Sequence, residues 1–507
     1  MRLDTFSSSE VQHTLRKLDN NKAPGPDGVP PEFWKALSDN ADALQQVTDF
    51  VNMCWVLKTI PASWRNAQIT CIHKKGRTDD CQNYRPISLL AVGYKVFAAL
   101  LHQRLVEAGA EGRLSSYQFG FRSGHSTQNA IFILRRLLEQ AWAQRDGSMV
   151  ALALDWQRAF DSINPSAMII GLRRFGLPDH VLDVIKAIYT DRCFRVHDCG
   201  IHSQQRSQLS GIAQGCPLSP FLFVMIMTVV MEDAVEQLPL ADRQSLQRHT
   251  LGALLYADDT LLFGCRADAV QRFLAAVQKS GKQFGLELHA KKFQLIQAKC
   301  NTELKAIDGL PIIPKEDMVY LGAVITSDGR VGRELARRLG AANAEFRALA
   351  RLWRHAAVSR RRKIDILNAT VIPKLLYSLM TACLNLAERR RLDGFHNRCL
   401  RLVWGIQPAL ISRVSNSSVL QITQQKPLTH LLARQQLMMF GKVARAPAGS
   451  LLRDSTFCPG SLRPAADRYI RRVGRPRLEW AKEVTKMALK MCGSFANLEN
   501  AIRSETT

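Results

Sequence analysis

Apolar positions recur at helical spacing from Tyr94 to Gly109 and from Thr127 to Ala143, and each stretch predicts a helix. A further helix is expected at 268–284. The run FLFVMIMTVVM (221–231) is almost unbroken in apolar residues. It is too short for a bilayer span, which takes about 20 residues, so it predicts a helix buried in protein. Strand character is strongest in three places. AQITCIHKKG (67–76) reads as a short strand ending in a basic turn, and MVALALDWQRAFDSI (149–163) as a buried strand running into a helix start. LLYADDTLLF (254–263) reads as two strands joined by a tight turn at Asp258–Asp259. Two Gly/Pro loops punctuate the pattern, NKAPGPDGVPPEFW (21–34) between helix-like segments and GIAQGCPLSP (211–220) before the apolar helix. From about Val331 the chain turns basic and helical. Arg347, Arg351 and Arg354 follow one another at spacings of four and three, which aligns them on one helix face. The last hundred residues are less regular and include the basic stretch RYIRRVGRPRLEW (468–480).

A chain of 507 residues exceeds one ordinary core, so two to four domains or subdomains are expected. Basic residues number 69 against 44 acidic ones, a net charge of +25, which points to a polyanionic partner and first to nucleic acid. No amphipathic anchor or lipidation motif supports a membrane surface instead. The opening MRLDTFSSSEVQHTL lacks the apolar core of a signal peptide. The 12 cysteines form no CxxC pair, which argues against a structural zinc site and a disulfide framework. An intracellular, reducing location is expected, nucleus and cytoplasm both remaining open.

The chemistry starts from Asp258 and Asp259. A carboxylate inside an apolar run is costly, and a like charge beside it adds to the cost. Such a pair lies on a solvated turn, where Asp is common, or receives a cation. Asp155 ends the apolar run ALAL about a hundred residues earlier. One carboxylate at a strand end and two on a hairpin turn are what a two-metal nucleotidyl-transfer site needs, if the two strands are neighbours. Hard divalent cations take oxygen ligands and clamp the attacking and leaving oxygens of a displacement at phosphorus.

Tyr256-Ala257-Asp258-Asp259 resembles the YxDD box of reverse transcriptases, and further segments follow that family's order. NYRPISLL (83–90) is similar to its fingers motif, YQFGFRSGHST (117–127) to the segment after it, and LDWQRAFDSI (154–163) to the motif of the first catalytic Asp. GIAQGCPLSPFLF (211–223) resembles the loop and helix beside the nucleotide, GLELHAKK (285–292) the lysine segment, and YLGAVI (320–325) the primer-grip hairpin. Over roughly residues 10–405 the chain resembles the polymerases of non-LTR (LINE-like) retrotransposons.

This resemblance implies an α+β right-hand polymerase of fingers, palm and thumb with a mostly helical, basic C-terminal extension. The expected divisions are an N-terminal extension with a template-contacting loop (1–60), fingers and palm (61–312), primer grip and thumb (313–405), and the extension (406–507). The implied reaction extends a DNA primer on an RNA template with deoxynucleoside triphosphates and Mg²⁺, with Mn²⁺ as the alternative ion, and no membrane. Asp155, Asp258 and Asp259 would hold the metals, and Lys292 would protonate the leaving pyrophosphate. Phe160 would close the sugar pocket to a 2′-hydroxyl, and Gln214, Gly215 and Tyr256 would line the nucleotide. Lys74, Lys75 and Arg85 would neutralise the triphosphate. Tyr320, Leu321 and Gly322 would position the primer end, and Arg347, Arg351 and Arg354 would follow a nucleic-acid backbone.

His289, Phe293 and Cys216 depart from residues common in the family, but no metal ligand is lost. Two rivals are an RNA-templated RNA polymerase, against which Phe160 argues, and an inactive nucleic-acid-binding remnant, against which the intact aspartates argue. Some twenty residues precede the template loop and no Cys/His knuckle follows the thumb region, so a polymerase core, truncated or separately encoded, is expected.

Overall fold

The computed structural model describes residues 1–465, 470, 473–474 and 477–504. The described strands are β1 (Asn66–His73), β2 (Tyr84–Leu89), β3 (Met149–Leu154), β4 (Cys193–Asp198), β5 (Ile201–His202), β6 (Arg206–Ser207), β7 (Leu251–Tyr256), β8 (Asp259–Gly264), β9 (Gln294–Ala298), β10 (Asp317–Tyr320) and β11 (Ala323–Thr326). The central sheet has the order β7–β8–β3–β9 and is antiparallel throughout. β3 lies inside it and is covered on both faces, which is why its sequence is apolar without alternation. Val150, Leu152 and Leu154 face one core, shared with the helices Pro165–Phe175, Asp179–Tyr189, Ser219–Glu236 and Ala267–Gln283. Met149 and Ala151 face another, formed with the helix Thr127–Ala143 and the β10–β11 hairpin. The apolar run 221–231 lies within the Ser219–Glu236 helix and is buried, as its composition requires.

A second sheet, β2–β1–β4–β5 with β6 on β4, stands beside the first. Its β1–β4 pairing is parallel and joins residues more than a hundred positions apart. The N-terminal residues are drawn onto the helix Val92–Glu107 by the buried Arg104, which donates to Glu10 Oε1 at 3.1 Å and to Thr5 O at 2.9 Å.

The helices Gly332–Ala348, Ala350–Arg354, Arg360–Leu376 and Leu386–Trp404 build a separate core around Leu335, Leu367, Leu375 and Leu392, which Val419, Leu428 and Leu432 join from further along the chain. The expectation that Arg347, Arg351 and Arg354 share one helix face is corrected here. The helix ends at Ala348 and a new one starts at Ala350, so Arg347 stands on the first and Arg351 and Arg354 on the second. The interruption is at Leu349 (φ -90°, ψ 14°), and beyond it Trp353 turns inward, stacks on Phe346 at 5.1 Å and 19°, and donates its indole N–H to Phe346 O at 2.7 Å. All three arginines remain exposed.

The C-terminal hundred residues are more regular than their sequence suggests. Helices Leu428–Ala444, Trp480–Cys492 and Phe495–Ser504 enclose a fourth core around Trp480, against Phe132 on the outer side of the Thr127–Ala143 helix. Much of the basic stretch 468–480, including part of Val473–Arg477, lies outside the described residues. Among the described residues no helix is long and apolar enough to cross a membrane. All 12 cysteines are free.

Candidate active site

Strand pairing brings the three aspartates together. Leu154 at the end of β3 is opposite Thr260 in β8, so Asp155 leaves the sheet next to Asp259. Tyr256 and Asp259 close the β7–β8 hairpin, and Ala257 and Asp258 form its two-residue turn. Proximity shows in the acidities. Burial raises the Asp258 carboxyl above its ordinary value, with the Asp155 charge adding to the effect and Arg85 opposing it. Asp259 is pushed up to about 6 by burial, then by Asp258 and Asp155, again against Arg85. Asp259 keeps an exposed edge, so solvent screens part of this repulsion.

Lys292 reaches the same place. The 3₁₀ turn Ala290–Lys292 is anchored by His289 N donating to Asp155 O at 2.8 Å, and Lys292 Nζ donates to Asp155 Oδ2 at 3.0 Å. A cavity of about 400 Å³ lies here, lined among others by Asp155, Asp259, Lys292, Lys315 and Leu321. Among the described residues no three His, Cys, Asp or Glu side chains form a ready-made metal cage. The donor set nevertheless suits a hard divalent cation: the Asp258 and Asp259 carboxyls are held above their ordinary values by burial first and by neighbouring carboxylates after it, and a bound positive charge would favour their ionised form.

The loop 211–220 packs on the Phe160–Ile163 segment that follows Asp155, with Ile212 N donating to Phe160 O at 2.7 Å. Gln214 O accepts from Ser88 N at 2.8 Å, and Gln214 Nε2 donates to Asp161 Oδ1 at 3.2 Å. Gly215 has φ 129°, and a Cβ there would lie 2.4 Å from Ser88 O, so only glycine lets the loop close on β2. Phe160 stacks on Phe223, with ring centroids 4.3 Å apart and planes at 16°. Arg85 and Lys74 are exposed at the rim, Arg85 acting on the Asp258–Asp259 pair and Lys74 on Asp161. Lys75 is exposed on the same turn as Lys74, and Tyr256 is half-buried at the end of β7.

Leu321 (φ 45°) and Gly322 (φ 73°) form the turn between β10 and β11, the hairpin pairing Tyr320 with Ala323. Tyr320 is buried, and its hydroxyl reaches Leu254 O at 3.5 Å. Tyr377, just past the Arg360–Leu376 helix, and two arginines of the Gly332–Ala348 helix hold the turn: Tyr377 Oη donates to Leu321 O at 2.6 Å, Arg337 Nη1 to Gly322 O at 2.8 Å, and Arg338 to the same oxygen. Sequence reasoning missed Asp161 and Phe223. Asp161 had a signal, a carboxylate directly after Phe160. Phe223 had none, being one apolar residue among many in its helix.

A four-stranded antiparallel sheet with carboxylates at the meeting of two strand ends, a glycine loop closed on β2 and a separate helical lobe define a palm-type polymerase. The family model described as reverse transcriptase (RNA-dependent DNA polymerase) matches residues 72–325, and the chain belongs to that family. It is 27% identical over 411 residues to a protein named as a probable RNA-directed DNA polymerase from transposon BS of Drosophila melanogaster, covering 78% of this chain and 44% of that one. It is 23% identical over 415 residues to the Pol polyprotein of a type-1 retrotransposable element R2 of Nasonia vitripennis, covering 77% of this chain and 38% of the relative. The chain thus spans less than half the length of these two relatives. Among solved structures, an RNA-dependent RNA polymerase of a human picorbirnavirus aligns with a TM-score of 0.44 at 13% identity, over 86% of this chain and 76% of that one.

Proposed function

We propose that this chain is the polymerase of a non-LTR retrotransposon, extending a DNA primer on an RNA template with deoxynucleoside triphosphates. One observation carries the reading: Asp155 follows the strand partner of Thr260 and so lies beside the Asp258–Asp259 turn. Asp155, Asp258 and Asp259 are the residues that would hold divalent cations, Mg²⁺ first and Mn²⁺ as the alternative. Such ions, when bound, supply Lewis-acid stabilisation of the charge that develops on the reacting oxygens. Arg85 and Lys74, with Lys75 further out, neutralise the triphosphate as it enters. Phe160, backed by Phe223, excludes a 2′-hydroxyl, while Gln214 and Gly215 line the nucleotide and Tyr256 packs at its edge. Lys292, held on Asp155, carries a proton to the departing pyrophosphate. Tyr320, Leu321 and Gly322 carry the primer end, and the exposed Arg347, Arg351 and Arg354 meet the nucleic-acid backbone.

The test is primer extension on poly(rA)/oligo(dT) with dTTP and Mg²⁺ or Mn²⁺. Synthesis is expected from the wild-type chain and not from Asp258→Ala/Asp259→Ala. A folded, RNA-binding protein that incorporates nothing with either ion would overturn the reading in favour of a binding remnant.

A further inference from the structure

The segment before the Thr127–Ala143 helix has no part in the mechanism above, yet it touches the catalytic turn. Leu255 N in β7 donates to Tyr117 O at 2.9 Å, and Phe119 N donates to Leu255 O at 2.8 Å. Residues 117–119 thereby lie along β7 as a short outer rung. Between them Gln118 has no solvent exposure (0%). Its Oε1 accepts two backbone N–H groups, Gly120 at 2.8 Å and Ala257 at 3.1 Å. Turning the amide over would set its NH₂ against both donors, so this network admits one orientation. Gln118 Nε2 is buried without a partner among the described residues. A buried donor left so is unfavourable, which means the side chain is placed for its acceptor.

The second of those N–H groups belongs to a strained residue. Ala257 has φ 59°, whereas Asp258 is not at positive φ. A two-residue hairpin turn with positive φ at its first position alone is where glycine is favoured, and alanine is strained there. If the turn relaxed, the next residue, Asp258, would swing with it. Gly120 lets the outer segment come close enough to prevent this: a Cβ at that position would lie 2.5 Å from Ala257 N.

We propose that Gln118 is a positioning residue for the reaction: by holding the Ala257 amide it sets the direction of the Asp258 and Asp259 carboxylates. This rests on the polymerase reading above and extends it to a residue outside the YADD turn. Gln118 touches neither substrate nor cation and acts through the backbone.

The test compares the full chain with Gln118→Met, similar in length but without an acceptor, and Gln118→Glu, which keeps one. Three quantities are read: kcat and KM for dTTP in primer extension, the thermal unfolding midpoint, and Tb³⁺ affinity from luminescence sensitised by the nearby Trp156, whose indole donates to Thr260 Oγ1 at 3.0 Å. Gln118→Met is expected to stay folded, keep its KM, lose on the order of 10²-fold in kcat and bind Tb³⁺ more weakly, since an ångström of misplacement costs about that much. Gln118→Glu is expected to recover most of both losses. The proposal is overturned if Gln118→Met turns over and binds Tb³⁺ like the wild type, if Met and Glu variants lose alike, or if the wild type binds no Tb³⁺. A wild type that makes no DNA, but binds Tb³⁺ more tightly than Gln118→Met, would sink the polymerase reading and leave the positioning role standing. Should Gln118→Met fail to fold, Gly120→Ala takes its place, because its methyl presses on Ala257 N and is expected to give the same drop in kcat and in Tb³⁺ affinity.

Discussion

Replacing Phe160 with valine tests the proposed sugar gate directly. The Phe160 ring lies on Phe223 at 4.3 Å and 16°, and Phe223 is itself fully buried in the Ser219–Glu236 helix. The backbone beneath is also tied down, Phe160 O accepting from Ile212 N at 2.7 Å. The ring therefore cannot retreat, and a 2′-hydroxyl pressed against it meets a packed surface. Forcing extra volume into such a surface costs about 1–3 kcal/mol. That corresponds to roughly 10–200-fold in kcat/KM between two substrates. Phe160→Val removes the ring and should erase most of this factor. The assay is the ratio of kcat/KM for dTTP to that for UTP on one poly(rA)/oligo(dT) substrate. Removing the ring stack, worth about 0.5–1.5 kcal/mol, weakens the pocket for both nucleotides and cancels in the ratio. Phe223→Leu leaves the gate ring in place without its support, so a smaller drop is expected. An active Phe160→Val enzyme with an unchanged ratio would refute the gate, and a wild type that uses UTP as readily as dTTP would favour the RNA-polymerase alternative.

Trp480→Ala should destabilise the chain by about 3–5 kcal/mol, the usual cost of truncating a fully buried aromatic, because Trp480 packs on Phe132 at 4.7 Å and donates its indole N–H to Met380 O at 2.8 Å. Urea unfolding measures it, and an unchanged midpoint would mean that the C-terminal helices are not anchored there. With Asp259 pushed up to about 6 from an ordinary 3.8, the folded chain binds more protons than the unfolded chain between those values. In chelator its stability should therefore be greater near about pH 5 than near about pH 7 and fade as pH rises through about 6, whereas Asp259→Asn should abolish that component; identical thermal profiles would refute it. Removing Arg347, Arg351 or Arg354 should each weaken RNA–DNA binding in a salt-dependent way, lowering the log–log salt slope by about one for each phosphate that is no longer neutralised. A slope unchanged in all three would place the nucleic acid elsewhere.

Whatever repeats locally is legible in the chain. The helix Thr127–Ala143, the strands around Asp258–Asp259 and the buried run 221–231 each announce themselves through period or composition over a dozen residues. The spacing of Arg347, Arg351 and Arg354 misleads because it describes an ideal helix, while the chain is interrupted at Leu349 and Trp353 beyond it packs back on Phe346. The C-terminal core is hard to see for a related reason: its apolar residues gain meaning only against Phe132, more than three hundred positions away. Long-range pairing is invisible altogether, including the parallel β1–β4 contact and the β3–β8 register that brings Asp155 to Asp259.

The site shows the same division at the scale of single side chains. Asp155, Asp258 and Asp259 stand out because a carboxylate in an apolar run is expensive and demands a reason. Gln118 and Phe223 make no such demand. A glutamine in a loop and a phenylalanine in a greasy helix are ordinary until their partners are known, Ala257 N in one case and the Phe160 ring in the other. Residues that bind charge can be suspected from chemistry alone, but residues that orient them come into view only with the fold. The Asp258–Asp259 turn is the concrete case. Its carboxylates are spelled out in YADD, while the acceptor beside the strained Ala257 sits 139 positions upstream, in a segment whose own sequence contains no charge between Tyr117 and Phe121.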